Sequence, residues 1–563
     1  MAVQRKPKAT TGPSPTTPDP IEIAMEAEAK DTSPDSPART LLVNQNKLVR
    51  WDIADRRMGV ALKALTGIAG IAVAVALAAM VWTASRASNV VIEAFSVPPA
   101  LAERGITGEA LARQLNDDLA AISEAARSVE VQRGLSGDWG KSLSVEIPST
   151  GISLSQLDQW LRDKLGHQSR VSGEVMASPD GTLTLAARSA SQGLPPLKGA
   201  EADMASLIQR TAEAVYAREQ PRSYPVYLET QGRWDDTIVW SRSRLTLPSA
   251  RARAIGYHHL GNGLQFTQGD LPAMEPFQQA MATDPTLGTP YGNLAGIEES
   301  LGHPETAYHL WKQRLAKLAA DRSIVDEARR QWVAGARSTL ARMLGDWREA
   351  RARAEENVGK VPLGSFSSTN TSALGIAQDD AAMHDIRQAQ AGLDGYALPP
   401  GGSKAGATLN VRLSAQDWAG AITAADEVLA NFDKLPDKGR ERGGVPTAKA
   451  RALAHLGRVA DAQSLIGATK LDCQPCVSVR GEIAAMAGDT KTADHWFSEA
   501  VRMAPSLPQA NTDWGRALLD RGETDKAIAR FTAANRQGPH FADPISFWGE
   551  PVQEGFAKGD GNW

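Results

Sequence analysis

The sequence predicts a mainly α-helical chain: a solenoid of helical hairpins, preceded by a small α/β domain of order β-α-β-α-β-β-α and by one transmembrane helix. Three observations predict it. Gly481, Ala493, Phe497, Ala500 and Pro505 recur as Gly515, Ala527, Phe531, Ala534 and Pro539, each 34 positions on, which is the period of a helix-turn-helix array. Residues 64–83 form an uncharged apolar run, long enough at 1.5 Å per residue to span about 30 Å of hydrocarbon. Between the two lies a block without repeats, in which alternating, strand-like stretches exchange with helical periodicity.

Composition narrows the function classes. A chain of 563 residues is too long for one core and predicts several domains. The formal charge of −4 and a pI near 6.2 argue against nucleic acid as the main ligand. Cys473 and Cys476 are the only cysteines, too few for a disulfide scaffold or an ordinary metal site, so no metal or cofactor is expected.

Residues 1–50 read as a disordered cytoplasmic tail. The stretches Thr10-Thr11-Gly12-Pro13-Ser14-Pro15 and Ser33-Pro34-Asp35-Ser36-Pro37 are polar and bury too little apolar surface to order themselves. The span 64–83 follows, with Trp82 at the level of an interfacial aromatic. Lys47, Arg50, Arg56, Arg57 and Lys63 crowd its N-terminal flank and Arg86 stands alone behind it, so the N-terminus is expected in the cytoplasm and the bulk of the chain in the periplasm. A cleaved signal peptide is the rival reading, but the length of chain ahead of the apolar run fits a signal anchor better. Gly70, Ala74 and Ala78 at four-residue spacing offer a seam for a homo-oligomer.

The α/β domain is expected over residues 90–230. Val90 to Val97 is a β-branched run ending at Pro98-Pro99, and Thr107 opens a helix with Leu111, Leu115, Leu119 and Ile122 on one face. Ser142 to Ile147 reads as a strand, and Ser153 with Gln156 as a capping box before Leu157, Trp160, Leu161 and Leu165. Segments 170–177 and 182–188 flank Ser178-Pro179-Asp180-Gly181, the turn chemistry of a hairpin. A last helix over 202–217 presents Met204, Leu207, Ile208, Ala212 and Val215. Gly105-Ile106-Thr107-Gly108-Glu109-Ala110-Leu111, followed by the hairpin strands from Val171 and Thr182, resembles the TolB-N-like domain that precedes helical repeats in bacterial cyclase- and regulator-linked proteins. The likeness is architectural and carries no catalytic residue across.

The array is expected over residues 254–541. Gly261, Ala273, Phe277, Ala280 and Pro285 repeat the C-terminal spacing, and Ala295, Gly302, Ala307 and Trp311 continue it. Gly345-Asp346-Trp347 with Ala350, Asp417-Trp418 with Ala421, and Gly457 with Ala462 mark divergent units, and Trp347 is expected to bury against the next helix. Small Gly and Ala admit a second helix closely, Phe fills the gap, and Pro ends the pair. The pattern resembles the tetratricopeptide repeat, and the resemblance implies a groove that binds protein partners, not an enzyme. Residues 542–563, with Trp548-Gly549 one period after Trp514-Gly515, read as a partial repeat or capping helix.

The same resemblance gives a candidate partner groove. His258 and Asn262 occupy the first two places of a clamp that holds a carboxylate in some tetratricopeptide domains, and Asn293 stands 31 residues beyond Asn262. The clamp's Lys is absent, and Trp332 and Ala336 stand where its basic residues belong, so the match is partial. Gln265 and Arg516 complete the groove candidates, while His259 and Tyr257 read as packed or surface residues. Cys473-Gln474-Pro475-Cys476 admits two readings, a local disulfide bracing the turn between repeats or a redox site. No βαβ pattern surrounds it and Val477 replaces the His of haem attachment, so the disulfide is favoured. Nucleophile elbows, phosphate loops and His-Glu-Xaa-Xaa-His helices are absent, and Asp117-Asp118, Asp235-Asp236 and Asp379-Asp380 read as solvated surface. Two functions follow: a membrane-anchored periplasmic scaffold, possible partner in assembling an envelope complex, or a transmembrane sensor that signals to a cytoplasmic acceptor.

Overall fold

The structure is a computed structural model that describes residues 19–30, 33, 36–86, 90–126, 169–189, 192–321, 324–360, 372–396, 402–434 and 444–541. Described residues up to Arg86 belong to one compact unit, and those from Val90 onward to another.

In the first unit, α1 (Pro20–Lys30) and α2 (Pro37–Arg86) are helical. This corrects the expectation of a structureless tail over 1–50, within which residues 1–18 lie outside the described residues. A polar composition limits burial, but Ala, Glu, Met and Lys are strong helix formers, and Pro37 suits a first helical position. Helix α2 has 50 residues and is therefore about 75 Å long. Its stretch Leu65–Trp82 has a mean hydropathy of 2.2 and is long and apolar enough to cross a membrane.

The second unit opens with a five-stranded sheet of β1 (Val90–Ile92), β2 (Ser169–Ala177), β3 (Leu183–Ser189), β4 (Gln192–Gly193) and β5 (Leu197–Gly199). β1 pairs parallel with β2, Val90 opposite Ser169, and β2 pairs antiparallel with β3 from Val171↔Ser189 to Ala177↔Leu183. The hairpin turns at Ser178 to Thr182, where Gly181 takes φ 83° and the Asp180 carboxylate accepts from the Thr182 N–H at 2.9 Å. Short α3 (Pro99–Ala102) and α4 (Gly108–Ala126) lie between β1 and β2, with Thr107 Oγ1 accepting from the Ala110 N–H. Leu111, Leu115, Leu119 and Ile122 are all buried, as are Met204, Leu207, Ile208, Ala212 and Val215 of α5 (Met204–Glu219). The strand at 142–147 and the helix at 153–165 fall outside the described residues.

Nine helical hairpins follow among the described residues: α6 (Tyr224–Thr230) with α7 (Trp234–Arg244), α8 (Ala250–Gln268) with α9 (Asp270–Thr283), α10 (Thr289–Leu301) with α11 (Pro304–Ala320), α12 (Asp326–Met343) with α13 (Trp347–Glu355), α14 (Ser372–Ala382) with α15 (Ile386–Asp394), α16 (Gly402–Ser414) with α17 (Trp418–Lys434), α18 (Gly444–His455) with α19 (Val459–Gly467), α20 (Gln474–Met486) with α21 (Thr490–Met503), and α22 (Gln509–Asp520) with α23 (Thr524–Gln537). The array thus starts at Tyr224, not Ala254, and does so without a break. Tyr227, Leu228, Trp240, Ala254 and Ile255 share one core with Leu115, Val171 and Ile208 of the α/β block.

Local chemistry sets each hairpin. Gly261, Gly481 and Gly515 lie against the rings of Phe277, Phe497 and Phe531, rings at most 1% exposed, and a Cβ would strike the ring at Gly261 and Gly515 and crowd it at Gly481. Each interhelix turn holds one left-handed residue. Glycine supplies it at seven turns, whereas His384 (φ 64°) and Gln416 (φ 56°) do so against their side chains. Asp346, Asp385, Asp417 and Asp489 then cap the following helix, each accepting from a backbone N–H three residues on at 3.0–3.1 Å.

The array meets itself. The Gln474 N–H donates to Gly302 O at 2.8 Å, the Ser506 N–H donates to Glu305 Oε2 at 3.0 Å, and Cys473 packs on Gly302. Further along, Gly538 abuts the Leu344 carbonyl, and Phe541, 1% exposed, seats its ring on Gly345 and beside Trp347 at 6.4 Å between centroids. Trp347 therefore packs on Phe541, near the end of the array and nearly 200 positions away.

Candidate functional site

A partly open cavity of about 730 Å³ is walled mainly by the first helices of the later hairpins, α12, α14, α16, α18, α20 and α22. Its charged side chains are paired across repeats. Arg342 holds the fully buried Asp379 with two nitrogens at 2.7 and 2.8 Å. Arg451 holds Glu482 in the same forked way, its Nε at 2.7 Å from Oε2, and its Nη2 lies 3.9 Å from Asp513. Asp513 also accepts from Ser478 Oγ at 3.0 Å and Gln509 Nε2 at 2.8 Å. Burial first, and then the Glu482 charge, push its carboxyl up to about 6. Burial likewise raises Asp379, with Arg342 opposing the shift.

Further groups line the cavity around these pairs. Trp418 and His455 stack at 4.0 Å with 4° between their planes, and burial lowers the His455 imidazole below its ordinary value. Met486 is 41% exposed to the cavity. Arg516 and Asp520, one turn apart on α22, are exposed charges on the same wall. His384 and Gln416, the two left-handed exceptions, also line it, so backbone strain coincides with the cavity rim. The combination of a stacked aromatic platform, an apolar thioether and exposed charges suits a peptide segment better than a small apolar molecule.

Of the groove candidates, only Arg516 lines this cavity. Asn262, Asn293 and Gln265 are instead bonded within the array. Glu229 Oε1 accepts from Asn262 Nδ2 at 2.9 Å and lies 2.7 Å from His259 Nδ1; Asn293 Nδ2 donates to Asn262 Oδ1 at 2.7 Å; Gln265 Nε2 donates to Asp270 Oδ1 at 2.9 Å. Asn262, His259 and Glu229 are buried. The clamp geometry is replaced by an internal polar network, because the α6–α7 hairpin supplies Glu229 where the sequence reading had placed open groove. His258 is set apart from this network and faces Phe277 and His259.

Asp379 and Asp380 are also corrected, since both are buried and bonded to Arg342 and Arg351 instead of standing in solvent. The Cys473 and Cys476 sulfurs are 2.00 Å apart in a disulfide at the start of α20, and the Cys476 N–H donates to the Cys473 sulfur. Residues 542–563 lie outside the described residues. No group of three metal-ligating side chains comes together among the described residues.

No family model matches the chain, and no curated protein matches it. Among solved structures it is similar to the TPR domain of P58(IPK), at 13% identity over 60% of this chain and 98% of that one, with a TM-score of 0.18. The helical-hairpin repeat rests on the turns, caps and Gly–Phe contacts described above.

Proposed function

We propose that the protein is a tetratricopeptide-type scaffold, anchored in the bacterial inner membrane by Leu65–Trp82, whose array holds a segment of a partner protein on the periplasmic side. The observation that carries this reading is the partly open cavity, large enough for several residues of an extended peptide and walled by Trp418, Met486 and Arg516. The charge asymmetry around the apolar span supports the orientation. The Arg342–Asp379 and Arg451–Glu482 pairs shape the walls, and Arg516 and Asp520 add solvent-exposed charged side chains to the same lining.

The test is in-cell crosslinking and pull-down of the full chain, with an Arg516→Glu variant beside it. A specific protein recovered with the wild type and lost with R516E supports the scaffold; recovery of the same proteins with both removes the cavity from the account. A reporter enzyme active only outside the cytoplasm, fused after Arg86, should be active, and inactivity there overturns the orientation.

A sensor is the second reading, and the continuity of α2 favours it. One helix carries the apolar stretch and the 28 residues ahead of it without interruption. Deleting residues 1–45 separates the two. A scaffold retains its partner when the anchor inserts, whereas loss of function with normal insertion favours signalling.

A further inference from the structure

Cys473, Leu507 and Phe541 stand 34 positions apart (507 − 473, 541 − 507), and all three are buried. Each marks a point where the late array touches an earlier part of itself. Cys473 packs on Gly302, the Ser506 N–H beside Leu507 reaches Glu305, and Phe541 seats on Gly345. The helices that leave the first two points, α20 and α22, both run along the cavity wall, bringing Met486 and then Arg516 to it. Phe541 lies 6.4 Å from Trp347, itself a wall residue. By register and by contact, the chain that follows Phe541 sets out from the edge of the cavity.

The sequence there does not repeat α22. Pro551 stands 34 positions after Ala517 in the interior of α22, where proline removes a helical hydrogen bond, and Gly549 and Gly555 lower helix propensity further. Its large apolar side chains are mostly aromatic. Phe547, Trp548, Phe556 and Trp563 fall within 22 residues (563 − 541), about three times the 6% aromatic content of the whole chain. The cavity wall offers seats for such rings: Trp418 and His455 present a stacked pair, and Met486 a thioether that packs well at an aromatic edge. The four arginines of the lining are matched by four acids, so aromatic contact and not net charge selects what enters.

We propose that residues 542–563 of the same chain occupy the cavity as an internal ligand, with Phe547 and Trp548 against Trp418, His455 and Met486, and that a partner enters by displacing them. This rests on the reading of the cavity as a seat for a peptide, and adds its regulation. Six residues (547 − 541) separate Phe547 from the anchored Phe541, a reach of about 20 Å when extended. A segment tethered so closely is presented at an effective concentration on the order of millimolar. Even weak intrinsic binding then competes with a partner, and only a partner with better anchors gains entry.

Photo-crosslinking within the purified full chain in detergent, with no partner present, tests this. A benzophenone amino acid at position 547 keeps an aromatic ring there, and its adducts, mapped by mass spectrometry, should fall on Met486, Trp418 or His455. Mixing isotopically heavy and light chains before irradiation should show both halves of each adduct coming from one chain. The second measurement carries no probe in the chain. A labelled synthetic peptide of residues 542–563 should bind the full-length double variant Phe547→Ser, Trp548→Ser at least about tenfold more tightly than the wild type, whose own segment fills the seat. Adducts confined to α23 would mean that the segment caps the last hairpin, and adducts only between heavy and light chains that a second copy fills the cavity. Either result, or equal peptide binding by the two chains, overturns the proposal. Neither experiment contains a partner, so failure here leaves the scaffold reading to its own test.

Discussion

Arg451 grips Glu482 with two guanidinium nitrogens, and the pair joins the first helices of consecutive hairpins. Glu482 follows Arg451 by 31 positions (482 − 451), and Asp513 follows Glu482 by 31 (513 − 482). The three form a ladder with one charge per repeat along the cavity wall. Removing the cation should be worse than removing the whole ladder. Arg451→Ala leaves two acids buried and unmatched, and is expected to destabilise by about 3 kcal/mol. The triple replacement Arg451→Leu, Glu482→Leu and Asp513→Leu should recover most of that loss. Urea denaturation of both variants checks the order, and a triple variant weaker than R451A would contradict it.

Asp513 gives the wall a pH dependence with a definite sign. Its folded carboxyl titrates near 6, above its ordinary value of 3.8, so the folded state binds the proton more tightly than the unfolded one. The stability this group contributes is complete below the unfolded value and is lost as pH rises through the folded one. Asp513→Asn has no such titration. The melting temperature of the wild type minus that of D513N should therefore grow as pH falls from about 7 to about 4. A constant difference across that window would remove Asp513 from the account.

The legible part of the fold was the part governed by small residues. Gly261 with Phe277, Gly481 with Phe497 and Gly515 with Phe531 are local packing solutions, and one such pair per hairpin repeats at a countable interval. The Tyr224–Arg244 hairpin escaped because it keeps the turn glycine, Gly232, but not the Ala–Phe–Ala spacing of its second helix. Its absence from the reading then misplaced Asn262 and Asn293, which close on Glu229 instead of opening on a groove. The cavity was invisible for a different reason. It exists because Gly302 meets Gln474 and Gly345 meets Phe541, contacts across more than 170 positions that no local pattern encodes. A usable signal was present nonetheless: polar partners about one repeat apart, such as Arg251 with Asp284 and Ser478 with Asp513.

Closure of the array depends on Phe541, the large side chain seated on the Gly345 turn. Phe541→Ala should remove about 3 kcal/mol, as expected for a fully buried ring. It should also raise hydrogen exchange at residues 344–347 and 538–541 together. Unchanged exchange at 344–347 would show that the turn holds without the ring.

The turn at Gly457 takes φ 75° with open space around it, so its demand is conformational and not steric. Gly457→Ala should lose about 1 kcal/mol in denaturant titration. A neutral result would mean that the turn adjusts its backbone at no expense.

The central claim is that a protein partner sits inside the array, and a photo-crosslinking amino acid tests it most directly in living cells. Placed at Met486, 41% exposed within the cavity, it should yield a discrete adduct with one protein; placed at Val239, 68% exposed on α7 and remote in sequence from the cavity walls, it should not. No adduct at 486, or the same adducts from 486 and 239, would contradict an interior binding site.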